Sequence, residues 1–209
     1  MFEGKYLEDE RNGEGKEYYK NSNLKFEGEY LNGKKIGKGK EYHENGNLKF
    51  EGQYLNDERN GKGKEYYENG ELIFEGEYLN GKRWNGKGKE YDLKGNLIFE
   101  GEYINGKRNG KGKEYHENGN LKFEGQYLNG KRNGKGKEYY KDGELIFEGE
   151  YLNSERWNGK GKELDLLGEL IFEGEYLNGK GKEGKFPKYG LELHHRGMPD
   201  SFLLDDSFN

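Results

Sequence analysis

The chain has 209 residues, a formal net charge of −5 and 37 glycines, with no cysteine, alanine, valine or threonine. Leu, Ile and Phe make only 39 of the 209 residues, which excludes a thick aliphatic core, yet aromatic residues reach 15%, far more than disordered chains carry. No apolar run approaches the roughly 18 residues of a spanning helix, thiol chemistry is absent, and 36 basic against 41 acidic residues argue against nonspecific nucleic-acid binding, which works by phosphate neutralisation.

The first residues, Met-Phe-Glu-Gly-Lys-Tyr, show no charged-then-apolar leader and enter a repeat at once. The tripeptide Phe-Glu-Gly begins at Phe2, Phe26, Phe50, Phe74, Phe99, Phe123, Phe147 and Phe172, giving eight units of 24 or 25 residues. In the second unit Leu24, Phe26, Gly28 and Tyr30 alternate with Lys25, Glu27, Glu29 and Leu31. Period two predicts a strand. The stretch Asn32-Gly33-Lys34-Lys35-Ile36-Gly37 reads as a polar turn, and Gly37, Gly39 and Glu41 alternate with Lys38, Lys40 and Tyr42 as a second strand. Then Asn45-Gly46 predicts a two-residue type I′ hairpin, in which both central residues need positive φ. No helical period interrupts the pattern, so an antiparallel meander of about sixteen short strands is expected.

Register follows from that turn. Gly39 should face Gly52, Gly37 Tyr54, Lys40 Glu51 and Lys38 Gln53. One face then carries aromatic rings beside glycines, which such rings cover well. The other carries Lys opposite Glu or Gln, worth about 0.2–1 kcal/mol per pair. The same register puts Glu41 opposite Phe50 and Tyr42 among the charges. A bulge between Gly39 and Tyr42 that returns Tyr42 to the aromatic face is the expected remedy.

The two longer units carry their extra residue beside Trp84 and Trp157, read as lying in lengthened turns. These tryptophans are either fillers packed on a neighbouring turn or a pair of binding anchors. His43 and His116 read as solvated residues beside turns, too far apart to share a metal. Residues Lys38 to Asn56 recur unchanged as Lys111 to Asn129, which marks duplication of a three-unit block. The eighth unit is shortened at Asn178 to Gly184, and a nonrepetitive tail follows from Lys185 to Asn209. There Tyr189, Leu191 and Leu193 alternate as one more strand, and Phe202, Leu203 and Leu204 fit a short helix after Pro199. The tail either caps the last strand edge or docks as a motif into a groove.

The pattern Phe26-x-Gly28-x-Tyr30-x-x-Gly33-x-x-x-Gly37-x-Gly39-x-x-Tyr42 resembles the MORN repeat (membrane occupation and recognition nexus), and the resemblance runs from about Phe2 to Gly184. The Tyr-x-Glu-Asn-Gly-x-Leu stretch at Tyr66 to Leu72 is also similar to a bacterial, antitoxin-like variant. The resemblance implies an all-β fold, an elongated single-layer antiparallel β-meander of about eight hairpins at 1–184, with a C-terminal cap or docking tail at 185–209. It also implies a protein-binding scaffold.

Nothing packs on a one-layer sheet, so part of the aromatic row is expected to stay accessible as a partner-binding groove. Its candidate residues are Phe50 with Tyr54, Phe74 with Tyr78, Phe99 with Tyr103, Phe123 with Tyr127, and Phe147 with Tyr151. The expected partner is a protein or peptide in that groove. The sequence offers no catalytic residues, since paired Glu residues such as Glu27 and Glu29 recur as a charge ladder instead of forming one unique acid–base site. No cofactor or metal site is expected. Anionic-lipid binding is the alternative, disfavoured because Lys alternates with Glu instead of clustering, and an antitoxin-like immunity role is another. Edge charges at Glu3, Lys5, Glu8, Asp9 and Glu10 favour a monomer or a weak homodimer, and the expected location is cytoplasmic.

Overall fold

The computed structural model describes residues 1–165, 167–186 and 191–193. Among these residues there are seventeen strands and no helix. The strands make one open sheet, each antiparallel to its neighbours in the chain. Contacts divide the chain into two compact units, Met1–Gly110 and Lys111–Asn209. The first holds β1 (Phe2–Leu7), β2 (Glu10–Tyr18), β3 (Leu24–Leu31), β4 (Lys34–Tyr42), β5 (Leu48–Leu55), β6 (Glu58–Tyr66), β7 (Leu72–Leu79), β8 (Lys82–Tyr91) and β9 (Leu97–Ile104). The boundary falls within β10 (Lys107–Tyr115). The second holds β11 (Leu121–Leu128), β12 (Lys131–Tyr139), β13 (Leu145–Leu152), β14 (Glu155–Leu164), β15 (Leu170–Leu177), β16 (Lys180–Phe186) and β17 (Leu191–Leu193). β17 is the extra strand read from the alternation in the tail, and it pairs Leu191 with Phe186 and Leu193 with Gly184. Tyr189 and the helix expected over Phe202, Leu203 and Leu204 lie outside the described residues.

The pairing between β4 and β5 follows the expected register: Gly37 faces Tyr54, Lys38 Gln53, Gly39 Gly52, Lys40 Glu51 and Glu41 Phe50. The two turn types, however, are exchanged relative to the sequence reading. The type I′ geometry belongs to Asn32-Gly33, with φ of 48° and 77°, between the paired ends Leu31 and Lys34. Asn56-Asp57 repeats it with φ of 51° and 71°, because Asn and Asp tolerate the left-handed region. Asn45 has no positive φ, while Gly46 has 89°. Gly46 N donates to His43 O and His43 N to Asn47 O, both at 2.9 Å. This is a three-residue loop with glycine at its left-handed position.

The expected bulge also resolves differently. The register shifts between Glu41 and Tyr42, leaving Lys49 of β5 as the unpaired residue. Tyr42 stays on the charged face, where its hydroxyl donates to Glu27 Oε1 at 2.6 Å. Glu41 keeps its place among the aromatic rings.

Successive loops are stitched together. Asn47 Nδ2 donates to Glu68 O at 2.8 Å, and Tyr19 Oη to Tyr42 O at 2.7 Å. His43 Nε2 lies 3.1 Å from Tyr66 O, and His116 Nε2 3.0 Å from Tyr139 O. Each histidine therefore ties its loop to the next hairpin, where a merely solvated side chain was expected.

Glycine faces glycine along the middle of the sheet: Gly28 with Gly39, Gly52 with Gly63. The phenylalanine rings explain why. A Cβ on Gly52 would stand 2.6 Å from Phe50 Cζ and 2.7 Å from Gly63 Cα. On Gly70, a loop position with φ of +87°, it would meet nothing within 4 Å. Gly70→Ala is expected to cost about 1 kcal/mol, the left-handed backbone penalty alone. Gly52→Ala should cost clearly more, at the upper end of the ~1–3 kcal/mol of overpacking. Urea unfolding of the two variants checks the order, and the reverse ranking would refute a ring seated on the glycine pair.

Candidate functional site

The aromatic face is built by a Phe and a Tyr from every second strand. Phe50 meets Tyr54 edge-on at 5.5 Å and Tyr78 at 5.0 Å. Within the second unit Phe123 meets Tyr127 at 5.6 Å and Tyr151 at 5.0 Å. Each such contact contributes about 0.5–1.5 kcal/mol beyond area burial. The rings proposed from sequence as an accessible groove are buried: Phe50 is 0% exposed, and Tyr103, the most exposed of them, 8%. The expectation of accessible rings is thus not met, because the sheet supplies its own cover.

That cover is ionic. The Arg59 guanidinium lies 4.2 Å from the Phe50 ring centroid. It donates to Glu41 at 2.8 Å and to Glu65 at 2.9 Å, and the Tyr54 hydroxyl donates to Glu41 at 2.7 Å. Arg83 donates to the same Glu65 at 2.7 Å. The second unit repeats the chain, with Arg132 over Phe123 at 4.2 Å and bonded to Glu114 and Glu138. Burial pushes the Glu41 carboxyl up, but Arg59 and the Tyr54 hydroxyl outweigh it and hold the group below the usual carboxylate range. Glu65, Glu90 and Glu138 are likewise held low, against burial, by their arginines. Burial and the facing carboxylates push Tyr54, Tyr78, Tyr103 and Tyr151 up.

Two places depart from this pattern. Lys35 stands where six other units have Arg, 4.1 Å from the Phe26 centroid and 3.6 Å from Glu17. Arg11 bonds Glu17 as Arg59 bonds Glu65, and among the described residues the buried Tyr30 hydroxyl has no hydrogen-bond partner. In the longer units the extra residue lies in the strand, not the turn: β8 and β14 have ten residues where β6 and β12 have nine. Gly86 then faces Gly76 and Gly88 faces Phe74. Arg83 gives its second bond to Lys89 O at 3.3 Å, and Arg156 gives one to Lys162 O at 2.9 Å. Trp84 and Trp157 are half-buried. The Trp157 ring would lie 3.4 Å from a Cβ on Gly179, in the next hairpin's turn.

The opposite face is open. In the first unit a trough of about 690 Å³ crosses strands β2 to β6. Its floor is the glycine row, and its walls include Glu14, Glu27, Glu29, Lys38, Lys40 and Lys62. None of these wall residues was singled out from sequence as a binding residue. The available signal was Glu14, which stands where six other units have Lys, from Lys38 to Lys160. Burial pushes the Tyr42 hydroxyl beside the trough up to about 12, reinforced by its bond to Glu27.

Two family models match this chain. The MORN repeat matches residues 50–71, 99–121 and 123–144, and the MORN repeat variant residues 11–32, 35–56 and 84–105. Together they cover more than half of the sequence. The chain belongs to the MORN-repeat family. Repeats of this family are in general non-catalytic modules for protein or membrane interaction. No curated protein matches the chain. In this MORN array the matched segments contain Phe50 and Tyr54, the two rings that Arg59 and Glu41 enclose.

Two tests follow from the ionic cover. The lowered carboxylates contribute stability that is present above their unfolded value of about 4.3 and lost as pH falls through their folded values. The raised tyrosines contribute stability present below about 10 and lost as pH rises beyond it. The urea midpoint should therefore be flat from about pH 5 to 9 and fall on both sides. A midpoint that holds or rises below pH 4 would contradict the ladder. Lys35→Arg should restore the fork, as Arg binds carboxylate bidentately, and raise stability by about 1 kcal/mol. An unchanged or lowered midpoint would show that Tyr30 and Glu17 do not need it.

Proposed function

We propose that this MORN-repeat protein is a non-enzymatic interaction module that holds a partner protein against the Lys- and Glu-bearing face of its sheet. The observation that carries the reading is the contrast between the two faces. The aromatic rings are closed off by the chain's own arginines and glutamates, whereas the glycine-floored trough stays open to solvent. The family's general role as an interaction module supports the same reading. Protein is favoured over membrane because Lys and Glu alternate across the strands, while anionic lipid surfaces select clustered positive charge.

A photo-crosslinking side chain at Lys64, which lies on the trough face opposite Glu51, tests this in cells that express the protein. Discrete protein adducts at Lys64, and none from the same label at Lys131, the first residue of β12 in the second unit, are the expected outcome. Equal labelling from both positions, or no adduct at either, would overturn the reading.

A further inference from the structure

Building on that interaction reading, we propose that the trough takes an extended peptide segment with basic residues at one end and carboxylates about four residues away. The argument starts from two departures in the repeat. On the charged face most strand pairs set Lys against Glu at the level of the trough's outer wall: Lys62 with Glu77, Lys87 with Glu102, Lys135 with Glu150. At β2 and β3 the pair is Glu14 with Glu29. Like charges directly opposite are destabilising, and nothing in the fold requires them. At β4 and β5 the pair is Lys38 with Gln53, so here the anion is missing.

The result is a polarised trough. Its β2–β3 end carries Glu14, Glu27 and Glu29 against Lys16, and its β4–β6 end carries Lys38, Lys40 and Lys62 against Glu51. Internal pairing does little to cancel this. Lys16 and Glu27 approach only to 3.9 Å, with an exposed lysine and a half-buried carboxylate, which is worth little at a wet surface. Among the described residues Glu14, Glu29, Lys38, Lys40 and Lys62 form no ion pair. The sheet keeps an unneutralised acidic end beside an unneutralised basic end, at a cost in stability.

The spacing sets the ligand. Strands lie about 4.8 Å apart, so the middle of the acidic end is about 12 Å from the middle of the basic end. An extended chain covers that in about four residues at roughly 3.3 Å each. The glycine floor offers no side chains, and its backbone groups are engaged in the sheet ladder. A visiting backbone therefore finds room but few hydrogen bonds, and recognition falls to its charged side chains. Such binding weakens with salt, since exposed charges are screened beyond about 10 Å at 0.1 M.

Fluorescence anisotropy on the full chain tests the proposal with the labelled hexapeptide Arg-Arg-Gly-Gly-Asp-Asp, against the same frame with four Arg or four Asp. The wild-type chain should prefer the dipolar peptide at least tenfold, with affinity falling as salt rises. Glu14→Lys with Glu29→Lys should shift the preference to the four-Asp peptide, and Lys38→Glu with Lys62→Glu to the four-Arg peptide. Amide shift mapping on the unaltered chain serves where a variant fails to fold: shifts at Gly15, Gly28 and Gly39 support the site, and shifts confined elsewhere overturn it. No preference among the peptides, or phosphatidylserine vesicles displacing the dipolar peptide, also overturns it. If no peptide binds while the Lys64 adduct still forms, the peptide proposal falls and the interaction reading stands. If both fail, both fall.

Discussion

A one-layer sheet has no second sheet to bury its apolar side, and this chain meets that constraint with arginine. Guanidinium groups lie over the phenylalanine rings, Arg59 over Phe50 at 4.2 Å and Arg108 over Phe99 at 4.0 Å. Arginine suits the task because its planar, weakly hydrated head can stack on a ring and fork to carboxylates at once. The carboxylates come from the glutamates that the strand register drives onto the aromatic side, Glu41 opposite Phe50 and Glu65 opposite Phe74. The tyrosine hydroxyls complete the set. A charge that looks misplaced among rings is therefore the anchor of the layer that covers them.

The same layer explains the abundance of glycine. The rings must lie low for the guanidinium to sit over them, and they lie where the Cβ atoms of the paired glycines would be. The missing Cβ atoms would point at the rings; on the other face the same positions show only backbone, because strand residues alternate between faces, and that strip is the floor of the trough. This is why the functional reading moves from the rings to the charges: the aromatic residues hold the sheet in shape, and the Lys and Glu side chains meet the solvent.

The repeat is not uniform, and its departures fall into two kinds. The extra residue beside Trp84 is absorbed as a longer strand and costs Arg83 its second carboxylate. Lys35 breaks the fork and leaves Tyr30 without a partner. These are local losses inside the cover. Glu14 and Gln53 change only the open face, where they leave the cover intact and alter its charge.

The eightfold Phe-Glu-Gly spacing and the period-two alternation were enough to determine the all-β meander and the glycine-to-glycine pairing. Those features depend on local geometry, since a strand puts alternate residues on opposite faces whatever surrounds it. The turn types escaped that logic. Both loops contain Asn-Gly, and only the pairing of the flanking strands made Asn32-Gly33 the two-residue turn and Asn45-Gly46 part of a three-residue one. The fate of Glu41 and Tyr42 was also set in three dimensions, because Arg59 lies 18 residues from Glu41 in sequence but two strands away in the sheet. Burial of the rings and the position of the trough followed from that long-range ion pair, which no inspection of one unit alone reveals.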